Sequence, residues 1–333
     1  MTPIQECIKN KNYKTKPIWI MRQAGRYLPE FREIRFKNPD FIKLCLNENL
    51  SAEITLQPIK RFKFDAAIIF SDILMLPYGM GQDVRFEKGL GPKLGKLNLD
   101  KLSNINEDEF NNKLKPVYKS ISNISNDPIL ENKDLIGFVG APWTILVYMI
   151  NKMSPKRNLS ENFFSDRLLI KKLLVIIEKF LKIHIENQIK AGATIIQIFD
   201  SWAGLLKDNI SEYIYEPTFN LVNHVKKLRV PVICFPRGIG DYKNFCDVVN
   251  PDMVNIDYDV DPNKIIKEIK IPIQGGLDPK ILLTDKETLK KETEKYLNIF
   301  KDHPYVFNLG HGILPETKIE MVGELINIVR NYK

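Results

Sequence analysis

The sequence predicts an α/β protein built as a single (β/α)8 barrel of the TIM type. Three observations support this. Apolar runs of strand length recur eight times, amphipathic helical segments separate them, and polar or turn-forming residues follow each run. The chain has 333 residues, of which 44% are hydrophobic, enough for one sizeable core. Because no interdomain linker is visible, we expect one domain spanning residues 1–333.

The eight apolar runs are the candidate strands, and most are apolar on both faces, as buried parallel strands are. In chain order they are Pro17–Met21, Ala66–Phe70, Leu135–Val139, Thr194–Phe199, Pro231–Phe235, Met253–Ile256, Ile271–Gln274 and Tyr305–Leu309. A doubly wound sheet is the alternative architecture. It usually carries a G-x-G-x-x-G turn after its first strand, and this sequence has none there.

Helical patterns separate the strands, and one long segment interrupts the alternation. The helical patterns are Arg167–Lys190, Ile210–Leu228, Pro262–Lys270, Lys286–Lys301 and Pro315–Arg330. Residues 73–134 form an insertion after the second strand. Within it, Val84–Leu94 carries Gly89 and Gly91 between short extended pieces and predicts a β-hairpin. Leu97–Asn132 is polar and predicts a surface loop and helix.

Charge and cysteine content exclude several classes of protein. The formal net charge is +8, but the lysines are spread over the whole chain and lack the clustering with aromatics that a nucleic-acid-binding protein would show. Four scattered cysteines indicate a reducing compartment. The longest uncharged run, Leu135–Asn151, has 17 residues and contains Gly137, Gly140 and Pro142, so it favours a buried strand, turn and helix start over a membrane span. No targeting segment is visible, and we expect a cytoplasmic protein.

Arginine, unlike lysine, is concentrated in one place. Four of the 11 arginines fall within 14 residues, where an even distribution would place fewer than one: Arg22, Arg26, Arg32 and Arg35. Arg22 and Arg26 flank Gln23–Gly25 directly after the first predicted strand. Barrel active sites gather at the carboxyl ends of strands, and guanidinium groups bind carboxylates bidentately. This loop therefore predicts a substrate with several carboxylates, although surface ion pairs are the alternative.

Other strand ends carry further candidates. Asp72 follows the second strand and would accept N–H donors or stabilise positive charge, unless it only caps the next helix. Ser201 and His311 also follow strands, but a hydrolase triad is disfavoured because the G-x-S-x-G elbow is missing. The four histidines have no metal-ligand spacing, and no lysine lies in or directly after a strand for a Schiff base. We therefore expect neither a metal nor an organic cofactor.

Six blocks of the chain resemble the uroporphyrinogen decarboxylase family. They run in order from residue 17 to 317 and are PIWIMRQAGRYLPEFREIR at Pro17–Arg35, TLQPIKRFKFDAAIIFSDIL at Thr55–Leu74, GFVGAPWT at Gly137–Thr144, QIFDSWAG at Gln197–Gly204, GGLDP at Gly275–Pro279 and NLGHGILPET at Asn308–Thr317. The resemblance implies a (β/α)8 barrel, a homodimer and an enzyme that needs no cofactor. The implied reaction removes CO2 from the four acetate side chains of uroporphyrinogen III and yields coproporphyrinogen III in haem biosynthesis.

The resemblance also implies which residues act. Asp72 is the implied central catalytic carboxylate. The implied substrate-binding residues are Arg22, Gln23, Ala24, Gly25, Arg26, Arg35, Tyr148, Ser201 and His311, together with Asp72. Two departures from the family pattern are Gly276, where the family often has Asn, and the loop Asn151–Arg157, which is commonly rich in Glu and Gly. The loop bears on lid closure but not on the reaction.

The residues fit this chemistry. A substrate with eight carboxylates suits an arginine-rich site, and a protonated pyrrole is its own electron sink. Asp72 would stabilise the cationic intermediate, and Arg22 or Arg26 is the candidate proton donor. The alternative within the superfamily is a zinc-dependent cobamide methyltransferase, which carries a His-x-Cys motif at a strand end. Here the corresponding strand reads Val232–Ile233–Cys234, without His.

Overall fold

The computed structural model describes residues 1–12, 14–87, 89–155, 158–160 and 163–332. The strands are β1 (Ala66–Ile68), β2 (Val84–Glu87), β3 (Gly91–Leu94), β4 (Asp134–Gly140), β5 (Ile195–Asp200), β6 (Val232–Pro236), β7 (Met253–Ile256), β8 (Ile273–Gly275) and β9 (Tyr305–Val306). Seven of them form one parallel sheet in the order β1-β4-β5-β6-β7-β8-β9. Seven of the eight predicted strands are thus confirmed.

The predicted first strand, 17–21, is the exception, because it forms a single β-bridge between Ile18 and Phe307 and no regular strand. Its neighbours explain why. The Ile18 N–H donates to the Asp65 carboxylate (2.7 Å) instead of a strand backbone, and Pro17 has no N–H to donate. The segment still contacts both edges of the sheet. Asp65 N–H donates to Ile18 O (3.0 Å) near β1, and Phe307 N–H donates to Pro17 O (2.7 Å) next to β9.

A buried polar network ties this segment to the far strands. Trp19 Nε1 donates to Gln274 Oε1 of β8 (2.8 Å), and Gln274 Nε2 donates to Asn255 Oδ1 of β7 (2.8 Å). All three side chains are fully buried. Because buried amides need partners, the network fixes the position of segment 17–21 and of the loop that follows it.

Helices connect the strands. They are α1 (Pro3–Lys9), α2 (Pro29–Lys37), α3 (Phe41–Cys45), α4 (Glu48–Phe62), α5 (Met75–Gly79), α6 (Leu99–Ser103), α7 (Glu107–Ser125), α8 (Pro142–Asn151), α9 (Arg167–Lys190), α10 (Glu216–Lys227), α11 (Tyr242–Val249), α12 (Pro262–Glu268), α13 (Lys286–Ile299) and α14 (Ile319–Asn331). The predicted bounds of α9 are confirmed. A π-helical turn, Ser211–Tyr215, precedes α10 inside its predicted span. Helix α14 begins four residues later than predicted, after Lys318.

The segment between β1 and β4 contains the predicted hairpin. Strands β2 and β3 pair antiparallel, with Val84 opposite Leu94 and Glu87 opposite Gly91. The polar stretch that follows forms α6 and α7, and α7 packs against α4 with its apolar face. Within the described residues, no helix combines the length and hydropathy that crossing a membrane requires.

Candidate active site

The loop after segment 17–21 is bent tightly at Arg22. Arg22 adopts the left-handed conformation (φ 63°), and Gln23 N–H donates to Ile20 O (3.1 Å) across the turn. Gly25 approaches this turn so closely that a Cβ there would lie 2.9 Å from Arg22 O. Arg32 then fixes the end of the loop, because its Nη1 donates to Arg26 O (2.9 Å). The backbone therefore holds two guanidinium groups at the carboxyl ends of the strands.

Gln23 attaches this loop to strand β1. Its side chain is fully buried, and its Nε2 donates to Ala66 O of β1 (3.0 Å). Its carbonyl accepts the Tyr27 hydroxyl (2.8 Å). Ala24 is partly buried and packs against the core. The polar groups of Gln23 are thus paired inside the protein, which makes it a residue that positions its neighbours.

Asp72 lies just beyond β1, beside Arg22. Its Oδ1 accepts the Leu74 N–H (2.8 Å), as expected of a residue that caps a helical turn. Burial raises the pKa of the Asp72 carboxyl to about 6, while the Leu74 N–H and the Arg22 charge act in the opposite direction. Asp72 therefore caps a turn and also presents a carboxylate with a perturbed pKa, a combination typical of functional sites.

Arg22 points to the last of the strand-end loops. A Cβ on Gly312 would lie 2.3 Å from Arg22 Cδ, so only glycine leaves room for the side chain. Part of the Arg22 side chain is exposed to solvent. Desolvation by the surrounding protein nevertheless lowers the pKa of its guanidinium, and the negative charge of Asp72 acts in the opposite direction. The Arg22 guanidinium is thus accessible to solvent and at the same time partly desolvated by the protein around it.

His311 shares this environment. Burial lowers the pKa of its imidazole to about 3, and the charges of Arg22 and Arg237 act in the same direction. The ring is therefore neutral at physiological pH and has both a donor and an acceptor nitrogen. Its Nδ1 is buried with no hydrogen-bond partner in the described part of the chain. An unpaired buried nitrogen in this place is available to a ligand.

Tyr148 and Ser201 are brought together by α8 and the loop after β5. The Tyr148 ring packs against the Trp202 ring with centroids 5.9 Å apart, and burial raises the pKa of the Tyr148 hydroxyl. That hydroxyl lies 3.5 Å from Ser154 Oγ. Two residues of the altered loop, Lys156 and Arg157, lie outside the described residues.

The loop that carries Ser201 is fixed by a buried pair. Thr144 Oγ1 of α8 donates to Asp200 Oδ1 (2.6 Å) and accepts the Trp202 N–H (3.1 Å). Burial raises the pKa of Asp200 to about 7. Ser201 lies between these two anchors and is half-buried. The hydroxyl therefore comes from a rigid support.

Arg35 lies on α2, half-buried, and the protein itself supplies two of its contacts. Its Nη1 donates to Asn38 O (2.6 Å), and its guanidinium carbon lies 5.7 Å from the centroid of the Phe41 ring. The buried Cys45 thiol lies within electrostatic range of both Asp72 and Arg35. Both charges reach Cys45, and the protein already uses part of the hydrogen-bonding capacity of Arg35.

One charged residue that follows a strand, Arg237, was given no role by the sequence reasoning. It directly follows β6, and its charge acts on both Arg22 and His311. The signal was present, because Arg237 stands at a strand end. Arg237 stands alone, outside the six family-like blocks and away from the four clustered arginines, so neither pattern includes it.

Metal-binding side chains are not grouped here. Within the described residues, no cluster of three or more His, Cys, Asp or Glu side chains could hold a metal ion. Cys234 of β6, where a zinc-dependent methyltransferase would have its His-x-Cys motif, is buried, and burial raises the pKa of its thiol well above the ordinary value. A thiol in that state is a poor metal ligand.

Comparisons with known proteins give a consistent result. The sequence profile described as "Uroporphyrinogen decarboxylase (URO-D)" matches residues 1–332. A uroporphyrinogen decarboxylase of Rickettsia bellii (strain RML369-C) is 41% identical over 340 aligned positions, covering 100% of this chain and 99% of the relative. One of Rickettsia africae (strain ESF-5) is 42% identical over 344 positions, covering 100% and 98%.

A solved structure agrees on the fold. A methyltransferase from Methanosarcina mazei superimposes with a TM-score of 0.80, covering 99% of this chain and 97% of that one, at 16% identity. At that identity the likeness concerns the fold alone. The full-length sequence matches confirm the predicted family and, with it, the predicted decarboxylase activity in porphyrin biosynthesis. This chain belongs to the uroporphyrinogen decarboxylase family.

Proposed function

We propose that the residues around Asp72 bind uroporphyrinogen III and remove CO2 from its four acetate side chains, yielding coproporphyrinogen III. The observation that carries this proposal is the position of Asp72. It is a carboxylate with a pKa raised to about 6, set beside Arg22 at the carboxyl ends of the strands. A carboxylate with this pKa is mostly ionised at pH 7, and its negative charge can stabilise a cation that forms on the substrate.

The decarboxylation needs the negative charge of Asp72 at the step in which the pyrrole ring becomes cationic. A proton adds to a pyrrole ring carbon next to the one that bears the acetate, which makes the ring cationic. The electron pair of the C–CO2⁻ bond then neutralises the ring as CO2 leaves. A proton adds to the exocyclic carbon, and the ring carbon releases its own, so that one proton replaces each CO2. Asp72 accepts hydrogen bonds from the pyrrole N–H groups and stabilises the cation.

The cationic side chains hold the carboxylates. Arg22 and Arg26 bind the acetate that reacts, and one of them is the candidate proton donor. Arg35 contacts a carboxylate at the outer edge of the site. Tyr148 and Ser201 donate hydroxyl hydrogen bonds, and the neutral imidazole of His311 donates one N–H. Gln23, Ala24 and Gly25 shape the loop and give it its close approach to the substrate.

The finer architecture belongs to the same proposal. We propose that segment 17–21, the first in the chain, closes the seven-stranded sheet into a (β/α)8 barrel, because it forms hydrogen bonds next to both β1 and β9. The segment between β1 and β4 is then the insertion, and residues 1–333 are one domain.

We further propose that the protein is a cytoplasmic homodimer that binds neither nucleic acid nor membranes. Sedimentation equilibrium should give twice the chain mass of 38.6 kDa, and a mass of one chain would contradict the dimer.

The activity is tested on the purified protein. It is incubated anaerobically with chemically reduced uroporphyrin, and the oxidised products are separated by carboxylate number. We expect products with seven, six, five and finally four carboxylates. An unchanged eight-carboxylate substrate would contradict the proposal.

Cofactor independence is a separate prediction. We expect activity to survive EDTA and exhaustive dialysis, because the pyrrole itself accepts the electrons. The same chromatographic assay measures it. If zinc, pyridoxal phosphate or thiamine diphosphate restored a dialysed and inactive protein, the mechanism would need that group, and zinc would favour the methyltransferase alternative.

A further inference from the structure

Arg237 faces the site from the side opposite the loop 22–26. It follows β6, the fourth of seven strands, while Arg22 follows the segment that bonds near both outer strands of the sheet. The charge of Arg237 nevertheless acts on Arg22 and on His311. The curled sheet therefore brings a guanidinium from its middle strand towards the residues at its two edges.

The backbone of Arg237 is fixed to the loop that carries Ser201. Its N–H donates to Asp200 O (3.0 Å), and its carbonyl accepts the Gly204 N–H (3.0 Å). The two loops touch backbone to backbone, because a Cβ on Gly204 would lie 2.6 Å from Gly238 O. Such a support holds the Cα of Arg237 in one place, as a binding residue requires.

The side chain, in contrast, is only weakly held. Its Nε lies 3.8 Å from Asp257 Oδ1, too far for a hydrogen bond, and the side chain is 30% exposed against 4% for Asp257. Among the described residues, the Arg237 guanidinium donates no hydrogen bond to a protein acceptor. Asp257 Oδ2 accepts the Gly238 N–H (2.8 Å), and Oδ1 has no partner in the described residues. Asp257 therefore orients the guanidinium by charge and leaves its donors free.

From this geometry we infer that Arg237 is a specificity-determining residue that binds a non-reacting carboxylate of the porphyrinogen, across the macrocycle from Arg22 and Arg26. This rests on the proposed function and adds a second anchoring point to it. An octacarboxylate extends well beyond one loop, and anchors on opposite sides would set the rotation of the macrocycle over Asp72. A planar guanidinium with free donors suits a carboxylate in two-point contact.

A role in binding alone makes a distinctive kinetic prediction. A contact with a non-reacting group is equally strong in the ground state and the transition state, so its loss raises KM and leaves kcat unchanged. We expect Arg237→Gln to raise KM for uroporphyrinogen by about tenfold, with kcat within about twofold, since a charged hydrogen bond is lost. Arg237→Lys should recover part of the loss, because it keeps the charge but not the fork.

The test compares these variants with Arg229→Gln, a control at an exposed arginine that follows α10 and lies outside the site. Wild type is measured in the same assay, so that failure to convert uroporphyrinogen refutes the proposed function and not the role of Arg237. Melting temperatures are recorded alongside. A folded Arg237→Gln with the KM of Arg229→Gln, or one that loses kcat at unchanged KM, would overturn the inference.

A second arm identifies the carboxylate. Affinity for coproporphyrinogen, which keeps the propionates and lacks the acetates, is measured for wild type and Arg237→Gln. Weaker binding by the variant assigns Arg237 to a propionate, and equal binding alongside a raised KM for uroporphyrinogen assigns it to an acetate. Arg237 could instead serve only as the structural partner of Asp257. In that case Asp257→Asn and Arg237→Gln would lower the melting temperature alike and leave the affinities for uroporphyrinogen and coproporphyrinogen unchanged, which would overturn the inference.

Discussion

The two ends of the parallel sheet treat buried carboxylates differently. At the amino ends, Asp134 accepts hydrogen bonds from Thr194 (2.8 Å), Gln5 (2.7 Å) and Thr2. Asp65 there pairs with Arg330 at 2.8 Å and accepts the Ile18 N–H. At the carboxyl ends, Asp200 Oδ2 and Asp257 Oδ1 are buried without partners among the described residues.

The two ends of the sheet differ in how many donors their buried carboxylates have, and we interpret the amino end as serving stability and the carboxyl end as serving function. Burial raises the pKa of Asp134 too, and three side-chain donors counter part of that rise. At the carboxyl ends the carboxylates have fewer donors, and the pKa values of Asp72 and Asp200 rise to about 6 and 7. Leaving a buried carboxylate short of partners costs stability, and we propose that the substrate supplies the missing partners at the carboxyl ends.

The largest expected effect contrasts the two ends directly. Asp72→Asn keeps its shape and one acceptor but lacks the charge that offsets the protonated pyrrole, so single-turnover decarboxylation should slow by about 10²–10³. Asp134→Asn should keep the turnover rate and lose about 1–3 kcal/mol of unfolding free energy, because a donor replaces an acceptor in its network. Near-wild-type turnover by a folded Asp72→Asn would leave Asp72 only its role as a cap.

The arginine loop should show the next largest effect. Arg26→Lys keeps the charge and loses the bidentate fork, so kcat/KM should fall by about 1.5–3 kcal/mol, the range of a charged hydrogen bond. Arg85→Lys is the matched control, since Arg85 pairs with Glu87 on the hairpin and its side chain is 67% exposed. Steady-state kinetics on both variants measures the contrast. Equally small losses would mean that the loop does not bind the carboxylates.

A smaller effect is expected at a glycine that touches no substrate. Gly312→Ala would place its Cβ 2.3 Å from Arg22 Cδ and push the guanidinium aside, so kcat/KM should fall about tenfold. Gly323→Ala in α14 has open space around its Cβ and should stabilise the protein by about 0.5–1 kcal/mol without changing kinetics. An unaffected Gly312→Ala would show that Arg22 tolerates displacement.

Seven of the eight predicted strands and the main helices are confirmed, because the hydrophobic periodicity that predicts them is local. It placed a strand at 17–21 because an apolar run does not reveal that a side chain, Asp65, takes the Ile18 N–H. Asp72 and the Arg22–Arg26 loop were predictable from their positions after strands. Arg237 also follows a predicted strand, but it received no role, because its proximity to Arg22 depends on how the sheet curls and no single stretch of sequence records that.

We propose that Asp72 is kept ionised for catalysis at a cost in stability. The pKa of Asp72 rises from an ordinary 3.8 to about 6 in the folded protein, so the protonated form favours folding. The cost is absent below pH 4, grows as the pH rises through 6 and is complete above it.

Thermal melting of wild type and Asp72→Asn from pH 4 to pH 8, with single-turnover rates on the same samples, tests this most directly. We expect equal stability near pH 4 and a more stable Asp72→Asn at pH 8, by on the order of 1–3 kcal/mol. The variant should be slow at pH 8, and the wild-type rate should fall as the pH drops below 6. A variant that is less stable than wild type at pH 8, or that turns over normally there, would contradict the account.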